Sequence, residues 1–245
     1  MSSIRSVLNV LDLDILFDEL DKKKNEKVSA RDIDGKFHPS SLGDCSRKLY
    51  YAFNKTPPKH NISPRLRRTF DHGHVVHDWV QSKLRDVFDT PDMPFKLEIE
   101  KSINDTVFAH DHNLAGSADA LITATRDIND DIKEGDCIVY ELKTASSATW
   151  NSLRSPISKH EIQANCYAAC FNAKWILFDY FNKDKDVHKR FLVEADHQRQ
   201  EQISNMLFDA MFTCSKGEEI AREPNSWSCE SCQYYYICKP EVEGD

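Results

Sequence analysis

The sequence lacks a long hydrophobic run. No apolar stretch approaches the ~20 residues that a membrane-spanning helix needs, so we expect no membrane partner. The apolar positions near the N-terminus are interrupted by Asp12, Asp14, Asp18 and Glu19, which is not the pattern of a signal-peptide core. We therefore expect a cytoplasmic protein.

Positive charge is also scarce. The chain has 32 Lys and Arg against 40 Asp and Glu, and its net charge of −8 at pH 7 excludes a general attraction to nucleic acid. One segment departs from this balance, because residues 55–68 contain no acid. Its basic residues are Lys55, Lys59, Arg65, Arg67 and Arg68. The segment fits either a solvated loop or a surface that contacts phosphates.

Repeats and low-complexity segments are absent, and the 245 residues have the composition of a globular domain. Hydrophobic periodicity predicts helices at residues 7–24, 64–88, 146–153, 159–173 and 195–216, and a short helix that carries Cys45 and is capped by Ser40 or Ser41. Strands are predicted at residues 95–103, 118–125, 136–144, 174–181 and 187–193. This order predicts an α/β fold, a mixed sheet flanked by helices.

Four of the eight cysteines stand at opposite ends of the chain. Cys45 is alone, and Cys229, Cys232 and Cys238 follow the spacing Cys-x2-Cys-x5-Cys. In an intracellular chain, clustered cysteines more often bind metal than form disulfides. Four thiolates suit an iron–sulfur cluster or structural zinc, and the isolated early cysteine favours the cluster because zinc ribbons usually have two Cys-x2-Cys pairs.

The segment around Glu141 carries charge inside an apolar strand. By the two-residue period of a strand, Val139, Glu141 and Lys143 share one face. Burying a carboxylate and an ammonium is costly unless they pair or bind a metal. A Glu-x-Lys pair alone also fits a partly exposed salt bridge. A functional interpretation of the pair therefore needs further candidate site residues elsewhere in the chain.

Asp119 is a candidate partner. It follows Gly116 and begins a stretch that is otherwise apolar. Aspartate is common in turns, but it is also a ligand for Mg²⁺, which typically takes one or two protein carboxylates.

His77 is the inward-facing histidine of the helix predicted at residues 64–88. Helical spacing places it with Gly73, Val80, Leu84 and Val87 on an apolar face. A single inward histidine is usually a core residue, but imidazole also binds Mn²⁺ beside oxygen ligands. With two carboxylates and a lysine elsewhere, the ligand interpretation is favoured.

Gln163 and Tyr167 are i, i+4 neighbours on the helix that follows the Lys143 strand. Their side chains fit contact with a phosphate, orientation of Lys143, or ordinary packing against the sheet. Cys166 and Cys170 on the same helix are predicted to be core thiols, as are Cys137 and Cys214.

Taken together, these motifs resemble the PD-(D/E)XK nuclease superfamily, and more narrowly its RecB-like branch. The matching positions are His77, Gly116-x2-Asp119, Glu141-x-Lys143 and Gln163-x3-Tyr167, in the family's order. The four split cysteines are similar to the iron–sulfur subset of that branch, which includes CRISPR-associated RecB-like exonucleases and AddB-type nuclease domains. One departure is Asp78, where the family often has Glu after the histidine.

The resemblance implies a restriction-endonuclease-like fold and a set of site residues. His77, Asp119, Glu141 and the backbone carbonyl of Leu142 are expected to bind Mg²⁺ or Mn²⁺, with Lys143 as the catalytic lysine. Gln163 and Tyr167 are expected to contact substrate. From the acid-free basic segment, and not from the resemblance, the same is expected of Arg65, Arg67 and Arg68. Cys45, Cys229, Cys232 and Cys238 are expected to hold a [4Fe-4S] cluster that joins the two ends of the fold, with zinc as the alternative.

The expected organisation is a helical extension at residues 1–37, a nuclease core at 38–216 and a cysteine lobe at 217–245. The expected function is a metal-dependent deoxyribonuclease, an exonuclease on single strands or DNA ends, in recombination, repair or phage/CRISPR DNA processing. The alternative is a non-catalytic nucleic-acid-binding module. The expected setting is the cytosol of a bacterium or a phage-infected host. The sequence has no Gly-x4-Gly-Lys-Ser/Thr motor motif, so unwinding requires a helicase or recombination partner.

Overall fold

A computed structural model describes residues 13–25, 27–59, 63–222, 229 and 232–238 of the chain. Part of the first predicted helix, residues 7–12, lies outside these ranges. Within them, no helix combines the length and the apolar character needed to cross a membrane.

The order of helices and strands follows the prediction closely. The helices are α1 (Leu13–Asn25), α2 (Arg47–Phe53), α3 (Pro64–Phe88), α4 (Val107–Asp111), α5 (Ser147–Ser152), α6 (Ser158–Phe171), α7 (His197–Ser215) and α8 (Tyr235–Cys238). The strands are β1 (Phe95–Ser102), β2 (Ser117–Ala124), β3 (Cys137–Ala145), β4 (Trp175–Asn182) and β5 (Val187–Glu194). Two short 3₁₀ helices, Ala30–Ile33 and Pro39–Ser41, precede α2.

The five strands form one mixed sheet in the order β1-β2-β3-β4-β5. Strands β3 and β4 are parallel, and the other neighbours are antiparallel. Only the parallel pair needs a long crossover, and α5 and α6 provide it. The predicted mixed sheet flanked by helices is therefore confirmed.

The sheet separates two hydrophobic cores. On one face, α3 packs on β1 and β3, and its Val76 and Val80 share a core with residues such as Ile122 and Leu142. On the other face, α6 packs on β3 and β4 around Val139, and α7 packs against α6. Residues 138–142 thus alternate between the two cores, as the period of two predicted.

Helix α3 begins where its sequence predicts. Ser63 is the N-cap and accepts a hydrogen bond from the Leu66 amide at 3.2 Å, and Pro64 occupies the first helical position. Its buried stripe differs from the prediction at two positions. Gln81 is buried and donates to Glu100 Oε1 at 2.7 Å, whereas Val87 is 53% exposed.

The C-terminal described residues meet the chain at α2 and the residues that follow it. The Lys59 amide donates to the Gln233 carbonyl at 2.8 Å, and the Tyr51 and Tyr234 rings lie 4.8 Å apart. The predicted caps of the first cysteine helix are wrong. Ser40 and Ser41 belong to a separate 3₁₀ helix, and α2 starts after Ser46, so Cys45 precedes the helix instead of lying within it.

Tyr180 of β4 anchors the start of α6, because its hydroxyl accepts from the Ile157 amide at 2.9 Å and lies 3.0 Å from His160 Nδ1. Burial, together with the nearby Lys143 and Lys159, lowers the pKa of His160 to about 4. The folded state therefore holds this histidine neutral at neutral pH.

We expect the free energy of unfolding to fall as the pH drops from about 6.5 towards 4. In that pH range His160 is protonated in the unfolded chain but stays neutral in the folded chain, so acid favours unfolding. Urea unfolding at several pH values should show a weaker acid dependence for His160→Gln than for the wild type. The matched control is His110→Gln, because His110 is exposed, and an equal acid dependence for the wild type and both variants would contradict the expectation.

Candidate active site

Asp119 and Glu141 come together because β2 and β3 are neighbours. Ala120 pairs with Tyr140 in the register, which brings the preceding Asp119 beside the following residues of β3. Asp119 Oδ2 accepts a hydrogen bond from the Leu142 amide at 2.7 Å. Gly116 has a φ of +149°, which a glycine tolerates, in the turn that leads into β2. A backbone contact therefore fixes the Asp119 carboxylate.

His77 approaches the same carboxylate from α3. Its Nδ1 lies 3.4 Å from Asp119 Oδ1, and the side chain is half-buried. Burial lowers the pKa of His77, but the hydrogen bond and charge of Asp119 outweigh it and raise the pKa above its usual value. The histidine predicted to face inward is thus at the site and paired with a carboxylate.

Glu141 is 1% exposed, and Lys143 lies beside it on the same face of β3. The Lys143 Nζ to Glu141 Oε1 distance is 2.6 Å. Burial raises the pKa of Glu141 to about 7, with Asp119 adding to the effect and Lys143 opposing it. Burial lowers the pKa of Lys143, but Glu141 and Asp119 overcome this and raise it. The lysine is therefore held as a cation.

Gln163 and Tyr167 of α6 lie against this pair. Lys143 Nζ donates to Gln163 Oε1 at 3.0 Å. Tyr167 is 3% exposed, and burial beside the Glu141 carboxylate raises the pKa of its hydroxyl well above 10. Of the proposed roles, the geometry therefore supports orientation of Lys143 by Gln163, while phosphate contact by either residue stays a prediction.

One buried atom at the site lacks a partner within the described part of the chain. It is Glu141 Oε2, whose sister oxygen holds Lys143. An orphaned buried carboxylate oxygen is costly, and a cation is the partner that removes this cost. As they stand, the described residues include no group of three or more His, Cys, Asp or Glu arranged to hold a metal ion.

The three arginines predicted to contact substrate lie in the first turns of α3, not in a loop. Arg68 is already paired, because its Nη1 lies 2.8 Å from Asp18 and 3.1 Å from Asp21 of α1. Arg67 Nε is buried without a hydrogen-bond partner among the described residues, and Arg65 is exposed. No spacing pattern in the sequence predicts that acids of α1 pair with Arg68.

All four cysteines of the split pattern line one small cavity. It lies between the segment that enters α2 and the C-terminal residues, and its walls include Tyr51 and Tyr234. The four cysteines are Cys45, Cys229, Cys232 and Cys238, and all are free thiols. Burial raises the pKa of Cys232, and the neighbouring Cys229 and Cys238 add to the effect. The chain thus brings together thiols from its two ends.

The aromatic residues near this cavity differ in exposure. Tyr234 is 2% exposed, whereas Tyr236 is 44% exposed and donates to the Pro57 carbonyl at 2.7 Å. Trp227, a further aromatic residue close to Cys229 in the sequence, lies outside the described residues. Of the remaining cysteines, Cys166, Cys170 and Cys214 are buried, as expected of core thiols, whereas Cys137 at the start of β3 is only half-buried.

Comparison with solved structures identifies similar folds. The crystal structure of SSO0001 aligns with a TM-score of 0.51 at 18% identity, covering 93% of this chain and 96% of that chain. The alkaline exonuclease LHK-Exo from Laribacter hongkongensis aligns with a TM-score of 0.52 at 12% identity, covering 85% of this chain and 94% of that chain. No protein-family model and no curated protein matches the sequence. The chain therefore shares its fold with an exonuclease at low sequence identity.

Proposed function

We propose that this protein is a metal-dependent nuclease that hydrolyses phosphodiester bonds in DNA. The observation that carries the proposal is the convergence of His77, Asp119, Glu141 and Lys143 from three separate elements at one partly buried site. Two carboxylates, an imidazole and a charged lysine at one place supply ligands for a hard cation and a positive group for a phosphate.

The fold supports this assignment. LHK-Exo, whose fold is similar at a TM-score of 0.52, is an alkaline exonuclease. An exonuclease acting on single strands or DNA ends is accordingly the form of the activity that we propose, within the RecB-like branch that the motifs resemble. Recombination, repair or phage/CRISPR DNA processing is the proposed setting, with a helicase partner wherever duplex must be opened.

His77, Asp119, Glu141 and the Leu142 carbonyl would hold Mg²⁺ or Mn²⁺. The unpartnered Glu141 Oε2 and the Asp119 carboxylate fit such an ion, because both provide carboxylate oxygen atoms at a site that is largely buried. When bound, the ion would polarise the scissile phosphate and lower the pKa of a water molecule.

Lys143 contributes a fixed positive charge. Glu141 and Gln163 hold its ammonium from two sides, at 2.6 and 3.0 Å, so that it does not need to reorganise during the reaction. A preorganised cation in a water-poor site stabilises negative charge that develops on the phosphate oxygens. Asp119, fixed by the Leu142 amide, holds His77 in place.

We further propose that Cys45, Cys229, Cys232 and Cys238 hold a [4Fe-4S] cluster with a structural role. Their placement around one cavity supports a shared ligand, and four thiolates suit a cubane cluster. Zinc remains the alternative occupant, and metal analysis with visible spectroscopy separates the two.

The experiment that tests the nuclease is digestion of end-labelled single- and double-stranded DNA with Mg²⁺ or Mn²⁺. We expect Asp119→Asn to reduce the rate by about 100-fold or more, because the variant loses a carboxylate that binds the cation and holds His77. The substitution keeps the size of the side chain, and circular dichroism should show an unchanged fold.

Asp78→Asn is the matched control, because Asp78 is an exposed acid next to His77 on α3. It should cut DNA at the wild-type rate. A wild-type protein that binds DNA but leaves it intact with both metals would instead establish a non-catalytic binding module. Early release of mononucleotides would identify an exonuclease, and internal fragments an endonuclease.

A further inference from the structure

A second cavity lies on the α3 face of the sheet, between α3 and the last two strands. Its volume is about 550 Å³, within the range of small-molecule sites. Its walls are mainly apolar, and its polar lining residues come from α3 and from β3 to β5. Those that matter here are Lys83, Tyr140, Asp179, His188 and Arg190. None of them belongs to the site described above.

Asp179 organises the polar side of this cavity. It is the single acid in the apolar strand β4 and is 1% exposed. Its Oδ2 accepts from the Tyr140 hydroxyl at 2.9 Å and from Arg190 Nε at 2.9 Å, and its Oδ1 lies 2.8 Å from His188 Nδ1. A buried carboxylate with three partners fixes the directions of the groups around it.

The fixed groups keep unused donors. Arg190 is bound through Nε, and its two terminal nitrogens have no partner among the residues that the structure describes. His188 uses Nδ1, which leaves Nε2 as the other polar atom of its ring. Lys83 is exposed and makes only a long 3.9 Å pair with Asp86. A guanidinium anchored in this way is suited to a phosphate, which it contacts in a planar fork.

Trp79 supplies an aromatic surface at the same cavity. The residue is 48% exposed, and its ring is supported from behind by Phe181 at a centroid distance of 5.8 Å. Phe181 in turn contacts the His188 ring at 5.0 Å, so the aromatic and basic parts are continuous. An exposed tryptophan held by a second ring offers a rigid face on which a nucleobase stacks.

We propose that this cavity binds one nucleotide, with the base against Trp79 and the phosphate against Arg190 and Lys83. The chemistry favours this ligand because Trp79 matches a flat apolar ring, and Arg190 and Lys83 match an anion beside it. These basic side chains are notable in a protein whose net charge is −8. The cavity opens on the α3 face of the sheet, opposite to the face that carries Glu141 and Lys143, and α3 connects the two because it carries both Trp79 and His77. The inference rests on the proposed nuclease function and identifies a subsite that holds an unpaired nucleotide of the DNA strand.

The test measures binding of fluorescent oligo(dT) of about ten nucleotides without divalent metal, so that no cleavage occurs. Trp79→Ala and Arg190→Gln should each weaken binding by about tenfold, and Trp79→Phe by less than about threefold because it keeps a stacking ring. Arg190→Gln should also reduce the slope of log affinity against log salt by about one. The controls are Phe212→Ala, an exposed aromatic on α7, and Arg126→Gln, an exposed arginine; both should bind as the wild type does.

Competition distinguishes the source of the nucleotide. If dTMP displaces oligo(dT), the cavity also binds free nucleotides. If dTMP does not displace it, but the variants still bind oligo(dT) more weakly than the wild type, the cavity binds a nucleotide only as part of a strand. If inorganic phosphate displaces oligo(dT) at the same concentration as dTMP does, the base makes no contribution and its proposed role is overturned. Unchanged affinity of folded Trp79→Phe, Trp79→Ala and Arg190→Gln would overturn the inference. Weakened binding by these variants, in a protein that never cuts DNA, would keep the subsite and overturn the nuclease.

Discussion

Replacing Lys143 with alanine is expected to lower the rate of DNA cleavage by about 1,000-fold while DNA affinity changes by less than about threefold. Removing one preorganised donor to the developing charge typically costs 100- to 1,000-fold. Affinity should persist because most of it comes from phosphate contacts elsewhere on the surface. The measurement is single-turnover cleavage of end-labelled DNA with Mg²⁺ and with Mn²⁺, beside anisotropy measured without divalent metal.

The fold should tolerate this substitution. Burial already raises the pKa of Glu141 to about 7, so the carboxyl can take up a proton when its cation is removed. The matched control is Lys101→Ala, because Lys101 also lies on a strand and pairs with a glutamate, Glu98, at 2.9 Å, but on the exposed first strand. Its cleavage rate should equal that of the wild type. A Lys143→Ala variant that cuts within tenfold of the wild type would remove the lysine from the mechanism.

The parts of the site that lie within one element were predictable from the sequence. The alternation along β3 placed Glu141 and Lys143 on one face, and the structure has them 2.6 Å apart. Helix α3 has the predicted limits, because Ser63 and Pro64 are a start signal that depends only on neighbouring residues. The helical period also turned His77 towards the site. Local periodicity and capping are sufficient for such statements.

Contacts between distant elements were not predictable in the same way. The burial of Gln81 depends on Glu100 of β1, and the pairing of Arg68 depends on Asp18 and Asp21 of α1. No spacing rule joins such positions. The direction of the Lys143 pKa was also open, since burial and two carboxylates act in opposite directions and only their geometry decides the balance.

The arrangement of the chain links the cysteine cavity to α3. Residues 57–59, which follow α2, are held by the C-terminal residues, through the Lys59 amide to the Gln233 carbonyl and through the Tyr236 hydroxyl to the Pro57 carbonyl. Helix α3 carries both His77 and the arginines at its start. A ligand that fixes the C-terminal lobe would therefore also fix the entry to the helix that reaches the active site.

Replacing Cys238 with serine is accordingly expected to release the bound metal and loosen the C-terminal lobe. With the wild type we expect about four irons per chain and a brown colour, and with the variant a loss of most of both. Since metal binding and folding of such a lobe are one process, limited proteolysis should cut the variant beyond residue 216 at least tenfold faster than the wild type. Cleavage of DNA should fall as well, because the segment before α3 loses its support.

Cys137→Ser is the matched control, since Cys137 is also a half-buried free thiol but lies on β3, away from the cavity. It should retain its iron, its colour and its resistance to protease. A colourless wild type with about one zinc per chain would assign the cavity to zinc and preserve its role in holding the two ends together. A wild type without bound metal, or a Cys238→Ser variant as protease-resistant as Cys137→Ser, would show that side-chain packing such as the Tyr51–Tyr234 contact suffices to join the ends.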